Sequence, residues 1–177
     1  MLLAVDPGWN LGWALFDNGT LYSCGLVSPK SDPSEGTFCR AHVVASHVFC
    51  CALPPTKTPI DLVIEYPQVY RQGQLKGDPN DLLPLVAIGQ AVAQKLAYEL
   101  DDFTILDRIK APHPHDWKGS VPKDIMQKRI ERALSTAEVQ TALAGMPKAR
   151  TKQHNVWDAI GIGLWALDRL NPKRGET

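Results

Sequence analysis

Three acidic residues stand where an acid is costly unless it has a partner. Asp6 ends the apolar run Leu2-Leu3-Ala4-Val5, and Glu65 ends a second run, Leu62-Val63-Ile64. Asp158 lies within an apolar stretch from Val156 to Ile160, with Asn155 three residues before it and His154 four. An uncompensated buried charge costs several kcal/mol, and residues three or four apart share a helix face. If the first two runs are neighbouring strands and the third is a helix packed across their ends, these groups meet in one pocket. Such a pocket needs a cation, and its hard oxygen donors select Mg²⁺, with Mn²⁺ as a substitute. Two such ions about 4 Å apart serve phosphodiester hydrolysis, one activating the attacking water and the other stabilising the departing 3′ oxygen. No side-chain nucleophile is then required, and the sequence has no Gly-x-Ser-x-Gly elbow. Taken singly, each acid reads as a turn, loop or helix-start residue; the three together, in this order, make the metal site.

Cations gather in the second half of the chain. Arg108, Lys110, Lys118, Lys123, Lys128, Arg129 and Arg132 are followed by Lys148, Arg150 and Lys152. Beside the acids, Lys110, Lys118, Lys123, Lys148 and Arg150 would hold phosphates. Lys118 follows Trp117 in a loop rich in proline and glycine, which suits a placed residue. Lys128, Arg129 and Arg132 read equally as a solvated helix face. After Glu65, a polar loop carries Tyr70, Arg71 and Lys76, an aromatic beside cations that would stack on an unpaired base.

The elements that must position these residues follow from periodicity. Residues 2–6 read as a buried strand, and Asp17-Asn18-Gly19 between two apolar runs signals a tight hairpin. Residues 37–53 have helical length, with Ser34 as a candidate cap. The segment Ile60–Pro67 reads as a strand covered on both faces, residues 82–100 as a helix, and Asp102–Ile109 as a further strand. Helices follow from Lys123, across residues 137–145 and from His154 onward. Gly161 and Gly163 predict close approach of the last helix to the sheet, because glycine costs a helix roughly 1 kcal/mol per position. The expectation is an α/β fold, a mixed five-stranded sheet whose first three strands are antiparallel, with helices on both faces. It forms one domain over residues 1–171, with a frayed tail at 172–177.

Size and composition are those of one globular domain: 177 residues and zero formal net charge. The balance argues against a general polyanion coat. No segment reaches the ~20 apolar residues that span a bilayer, and no signal peptide is visible. The four cysteines, Cys24, Cys39, Cys50 and Cys51, form no CxxC pair. They read as free buried thiols in a reducing cytoplasm.

The motifs resemble those of the RuvC-type Holliday junction resolvases, within the ribonuclease H-like superfamily. "AVDPGWNLGWAL" is similar to the opening strand with Asp6 as metal ligand, "DLVIEYPQVY" to the second acidic motif with Glu65, and "HNVWDAIGIGLWA" to the closing helix with Asp158. "WKGSVPKDIMQKRI" is similar to the stretch that carries functional lysines, here Lys118 and Lys123. The resemblance spans nearly the whole chain. The spacing from Asp6 to Gly12 is one residue shorter than in bacterial members. The family's fourth ligand, an Asp or His, stands three residues before the last acid, where this chain has Asn155, with His154 one position earlier; both remain candidates.

The resemblance implies a small, phage-encoded type of crossover junction endodeoxyribonuclease acting in DNA recombination and repair. It implies four-way branched DNA as partner, an aromatic at the junction centre near Tyr70, and a homodimer that nicks two opposite strands. No helicase partner is legible. The competing readings are a ribonuclease H-like nuclease acting on RNA/DNA hybrids or flaps, and a non-catalytic junction binder. An actin-like or sugar-kinase ATP-binding fold would need a second phosphate-binding hairpin and about twice the length.

Overall fold

The computed structural model describes residues 1–30, 35–53, 59–67 and 82–170. The chain opens on three antiparallel strands, β1 (Leu2–Asp6), β2 (Leu11–Asp17) and β3 (Thr20–Val27). Asn18 and Gly19 both take positive φ, 47° and 79°, as the tight turn between β2 and β3 requires. β4 (Asp61–Ile64) adds in parallel beside β1, giving the order β3-β2-β1-β4.

Side-chain alternation along the strands divides the core in two. Leu3 and Val5 of β1, Leu11, Trp13 and Leu15 of β2, and Leu62 and Ile64 of β4 pack on one face against α1 (Thr37–Ala52) and α2 (Leu83–Leu100). Leu2, Ala4, Ala14, Phe16 and Val63 point the other way. They meet α3 (Pro114–Trp117), α4 (Lys123–Ala133), α5 (Thr136–Gly145) and α6 (Gln153–Ala166). Helices on both faces of a mixed sheet agree with the sequence. No helix among the described residues is long and apolar enough to cross a membrane.

Three expectations need correction. Four strands, not five, form the described sheet. The segment expected as the fifth strand is a 3-10 turn, Phe103–Arg108. Asp102 accepts from the Thr104 backbone N–H at 3.1 Å and its hydroxyl at 2.6 Å, and Arg108 reaches back to Asp102 at 3.0 Å. Local side-chain bonds of this kind compete with a strand ladder. What remains of the fifth strand is one parallel bridge between Lys110 and Val63. Second, the cysteines are free, but only Cys24 is buried; Cys39, Cys50 and Cys51 are exposed. α1 buries Ala41, Val44, Ala45, Val48 and Ala52, which leaves those three thiols off its core face. Third, Gly36 holds the N-cap position of α1, and Ser34 lies outside the described residues.

Candidate metal centre

Strand parity aims the first two acids. Asp6 continues the Leu2, Ala4 row and Glu65 the Val63 row, both on the α6 side of the sheet. The parallel register extends past Val5–Ile64, because the Glu65 backbone N–H donates to the Val5 carbonyl at 3.1 Å. Asp6 and Glu65 are therefore neighbours at adjacent strand ends.

The third acid arrives through a glycine. Gly12 pairs with Asp6 across β1 and β2, and a methyl group there would overlap the main-chain carbonyl of Asn155. Only a residue without Cβ lets the first turn of α6 lie this low on the sheet. Asp158 follows one turn later. Of the two glycines singled out in α6, Gly163 packs on Phe16 of β2, as expected. Gly161 instead admits Trp117 and Ile130 from α3 and α4.

The fourth group comes from α3 and the residue that ends it, Lys118. The Ile64 and Tyr66 N–H groups donate to the carbonyls of Lys110 and Pro112, at 2.9 and 2.8 Å. This carries α3 over Glu65. The Trp117 indole N–H donates to Glu65 Oε2 at 2.8 Å. The Lys118 ammonium lies 3.3 Å from Glu65 Oε2 and 3.3 Å from Asp158 Oδ2, and 4.6 Å above the Trp117 ring. The side chains of Glu65, Asp158 and Lys118 are 14%, 17% and 24% exposed, so this network is largely shielded from water.

Electrostatics bind the group together. Burial, then the charges of Glu65 and Asp158, push the Asp6 carboxyl well above the usual carboxylate range, while Lys118 and Lys123 pull it back. Burial also raises Glu65, outweighing the pull of Lys118 and Trp117. Burial would lower Lys118, but Asp158, Glu65 and Asp6 together hold it above its ordinary value. Lys118 thus bridges Glu65 and Asp158 and its charge reaches Asp6, as does that of Lys123 at the start of α4.

This donor set fits a divalent ion in kind, being carboxylate oxygens with more negative charge than their one partner neutralises. As they stand, no three His, Cys, Asp or Glu side chains among the described residues are grouped to hold one.

The other expected residues are spread more widely. His154 is exposed and Asn155 half-buried in the first turn of α6. Lys148 and Arg150 are exposed just ahead of it. The Lys110 ammonium donates to the Ala166 carbonyl at 3.2 Å, at the other end of α6 from Asp158. Tyr70, Arg71 and Lys76 lie outside the described residues. Two members escaped the sequence reading: Gly12 and the Trp117 indole. A buried indole N–H usually finds an acceptor, which is the signal that could have tied Trp117 to an acid.

No family model matches the chain, and no curated protein does. Two solved structures of RuvC from Thermus thermophilus are similar to it. One is 19% identical, with 92% of this chain and 90% of that chain covered and a TM-score of 0.49. The other, RuvC in complex with a Holliday junction substrate, is 17% identical, with 92% and 89% covered and a TM-score of 0.47.

Proposed function

We propose that the chain is a divalent-metal-dependent, ribonuclease H-like endonuclease that resolves four-way DNA junctions by paired nicks in opposite strands. The observation that carries this reading is the Lys118 ammonium held between Glu65 and Asp158, 3.3 Å from each, with the Asp6 carboxyl close enough to feel all three charges. The sequence motifs resembling RuvC-type resolvases select the junction as substrate. Asp6, Glu65 and Asp158 would hold Mg²⁺ or Mn²⁺, two ions per site, with Asn155 or His154 as the fourth donor. When bound, such ions would supply an activated water and charge stabilisation of the departing oxygen. Trp117 keeps the Glu65 carboxylate turned toward the pocket. Lys118 offers its charge to the scissile phosphate, while Lys123, Lys148 and Arg150 hold phosphates on either side.

Paired nicking calls for two sites in a C₂ dimer. Leu83, Val86 and Tyr98 of α2, Phe38 of α1, and Phe103 and Leu106 of the 3-10 turn are exposed. That apolar set supports α2 and its neighbours as the dimer surface.

The test is a synthetic four-way junction, end-labelled on each strand, against linear duplex, flap and RNA/DNA hybrid, with Mg²⁺ or EDTA. Symmetric nicks in the junction alone, dependent on Mg²⁺, are expected. Preferential cutting of hybrid or flap would replace the junction as substrate. Tight junction binding without cutting, even in Mn²⁺, would leave a binding protein.

A further inference from the structure

Lys118 stands where a cation shared by Glu65 and Asp158 would stand. Its ammonium is equidistant from one oxygen of each, 3.3 Å and 3.3 Å, and those two acids come from the residue after β4 and from α6. We infer that the Lys118 ammonium is a resident counter-ion of the metal-free site, exchanged for the incoming divalent ion, and that its displacement frees it for a phosphate oxygen of the DNA. This rests on the proposed metal site and adds a step that site does not require.

The geometry favours exchange at the oxygens the ammonium already holds. Glu65 Oε2 already accepts from the Trp117 indole as well as from Lys118. An ion on that oxygen would compete directly with the ammonium for its remaining lone pair. The ammonium has somewhere to go. Lys118 caps the end of α3 and is followed by Gly119 at φ 58°, so no helix continues past it to restrain its four-carbon stem. The face of the Trp117 ring, already 4.6 Å away, provides a second seat for the cation. Without an ion, the ammonium offsets part of the repulsion among Asp6, Glu65 and Asp158.

The test is Mn²⁺ binding at pH 8 by isothermal titration calorimetry, on wild type, Lys118→Met and Lys118→Gln. Exchange predicts that both variants bind Mn²⁺ about tenfold more tightly than wild type, the effect of removing one opposite charge within ~4–6 Å of a carboxylate. It also predicts that their melting temperatures in EDTA fall below wild type and recover with Mn²⁺. Lys118→Gln keeps a hydrogen-bond donor and covers the case in which Lys118→Met does not fold. Equal or weaker Mn²⁺ binding in the variants, beside a wild type that binds, would overturn the exchange and leave the metal site standing. No Mn²⁺ binding by wild type or variants would overturn both. As an independent readout, the ¹⁵N signal of the Lys118 ammonium should lose its salt-bridged character when Mg²⁺ is added to wild type; an unchanged signal at saturating Mg²⁺ would overturn the exchange.

Discussion

Two acid–cation groups sit on the same side of the sheet and are built in opposite ways. Glu138 of α5 is almost fully buried and completely partnered. It accepts from the Leu21 and Ser135 backbone N–H groups, each at 2.8 Å, and from both Arg169 nitrogens, at 2.7 and 2.9 Å. Arg169 also donates to the Gly19 and Ala133 carbonyls, tying the β2–β3 turn to the end of α4. Bonds from Arg169 lower the Glu138 carboxyl to about 2, against its burial. At the strand ends the direction reverses. Asp6 and Glu65 are raised, because burial and mutual repulsion exceed what one ammonium returns. A carboxylate that the fold satisfies holds the fold together; carboxylates that it leaves short of positive charge are kept for something that arrives later.

The contrast breaks most visibly when the acids are neutralised. Asp6→Asn, Glu65→Gln and Asp158→Asn should each lower junction cutting by about 10²–10³-fold or more, the scale of losing an electrostatic stabiliser. In metal-free buffer Asp6→Asn should melt no lower than wild type, because repulsion is relieved. Nicking rates beside melting curves read both effects, and near-normal turnover in any one variant removes that acid from the site. Glu138→Gln should do the reverse. It leaves Arg169 without its charge partner and should cost about 3 kcal/mol of stability, the scale of breaking a buried pair, with cutting intact below the new melting temperature.

Gly12→Ala perturbs the site with no change of charge. The methyl group meets the Asn155 carbonyl, so α6 must lift or tilt, at a cost of about 1–3 kcal/mol for overpacking. Cutting should fall together with stability, whereas loss of stability alone would detach Asp158 from the chemistry.

Acid and base titration separates the two groups as well. The folded Glu138 is depressed, so its stabilisation is complete above its unfolded value of 4.5 and lost as pH falls toward about 2. Asp6 and Glu65 are raised, so the native state holds protons that the unfolded state has released, and their contribution declines as pH rises above the ordinary carboxylate range. Melting temperature against pH in EDTA should therefore slope downward above that range in wild type and flatten in Asp6→Asn. The smallest expected effect is Trp117→Phe. It removes one hydrogen bond to Glu65, worth about 1 kcal/mol, and should lower turnover severalfold with little change in junction affinity.

The strand acids, the Asn18-Gly19 hairpin and the helices around Val44, Leu96 and Ile160 are all legible in the sequence, because each depends on local periodicity or turn chemistry. The alternation that points Asp6 and Glu65 to one side is likewise written in the runs that precede them. What the sequence hid was set by contacts distant along the chain. Gly12 reads as a strand glycine until α6 lies upon it. Trp117 reads as a loop aromatic until the 110–112 segment hangs α3 over β4. Residues 103–108 have the composition of a strand, but Asp102, Thr104 and Arg108 bond locally and curl the chain instead. Glu138, a lone acid in an amphipathic helix, gave no sign of its arginine 31 residues later.

We propose that Asp6, Glu65 and Asp158 act as one ion-binding centre. Anomalous diffraction from crystals of the protein grown with Mn²⁺ tests it most directly. Strong manganese density is expected within coordination distance of all three carboxylates, absent from crystals of Asp6→Asn. Manganese bound elsewhere, with these acids unchanged, would contradict it.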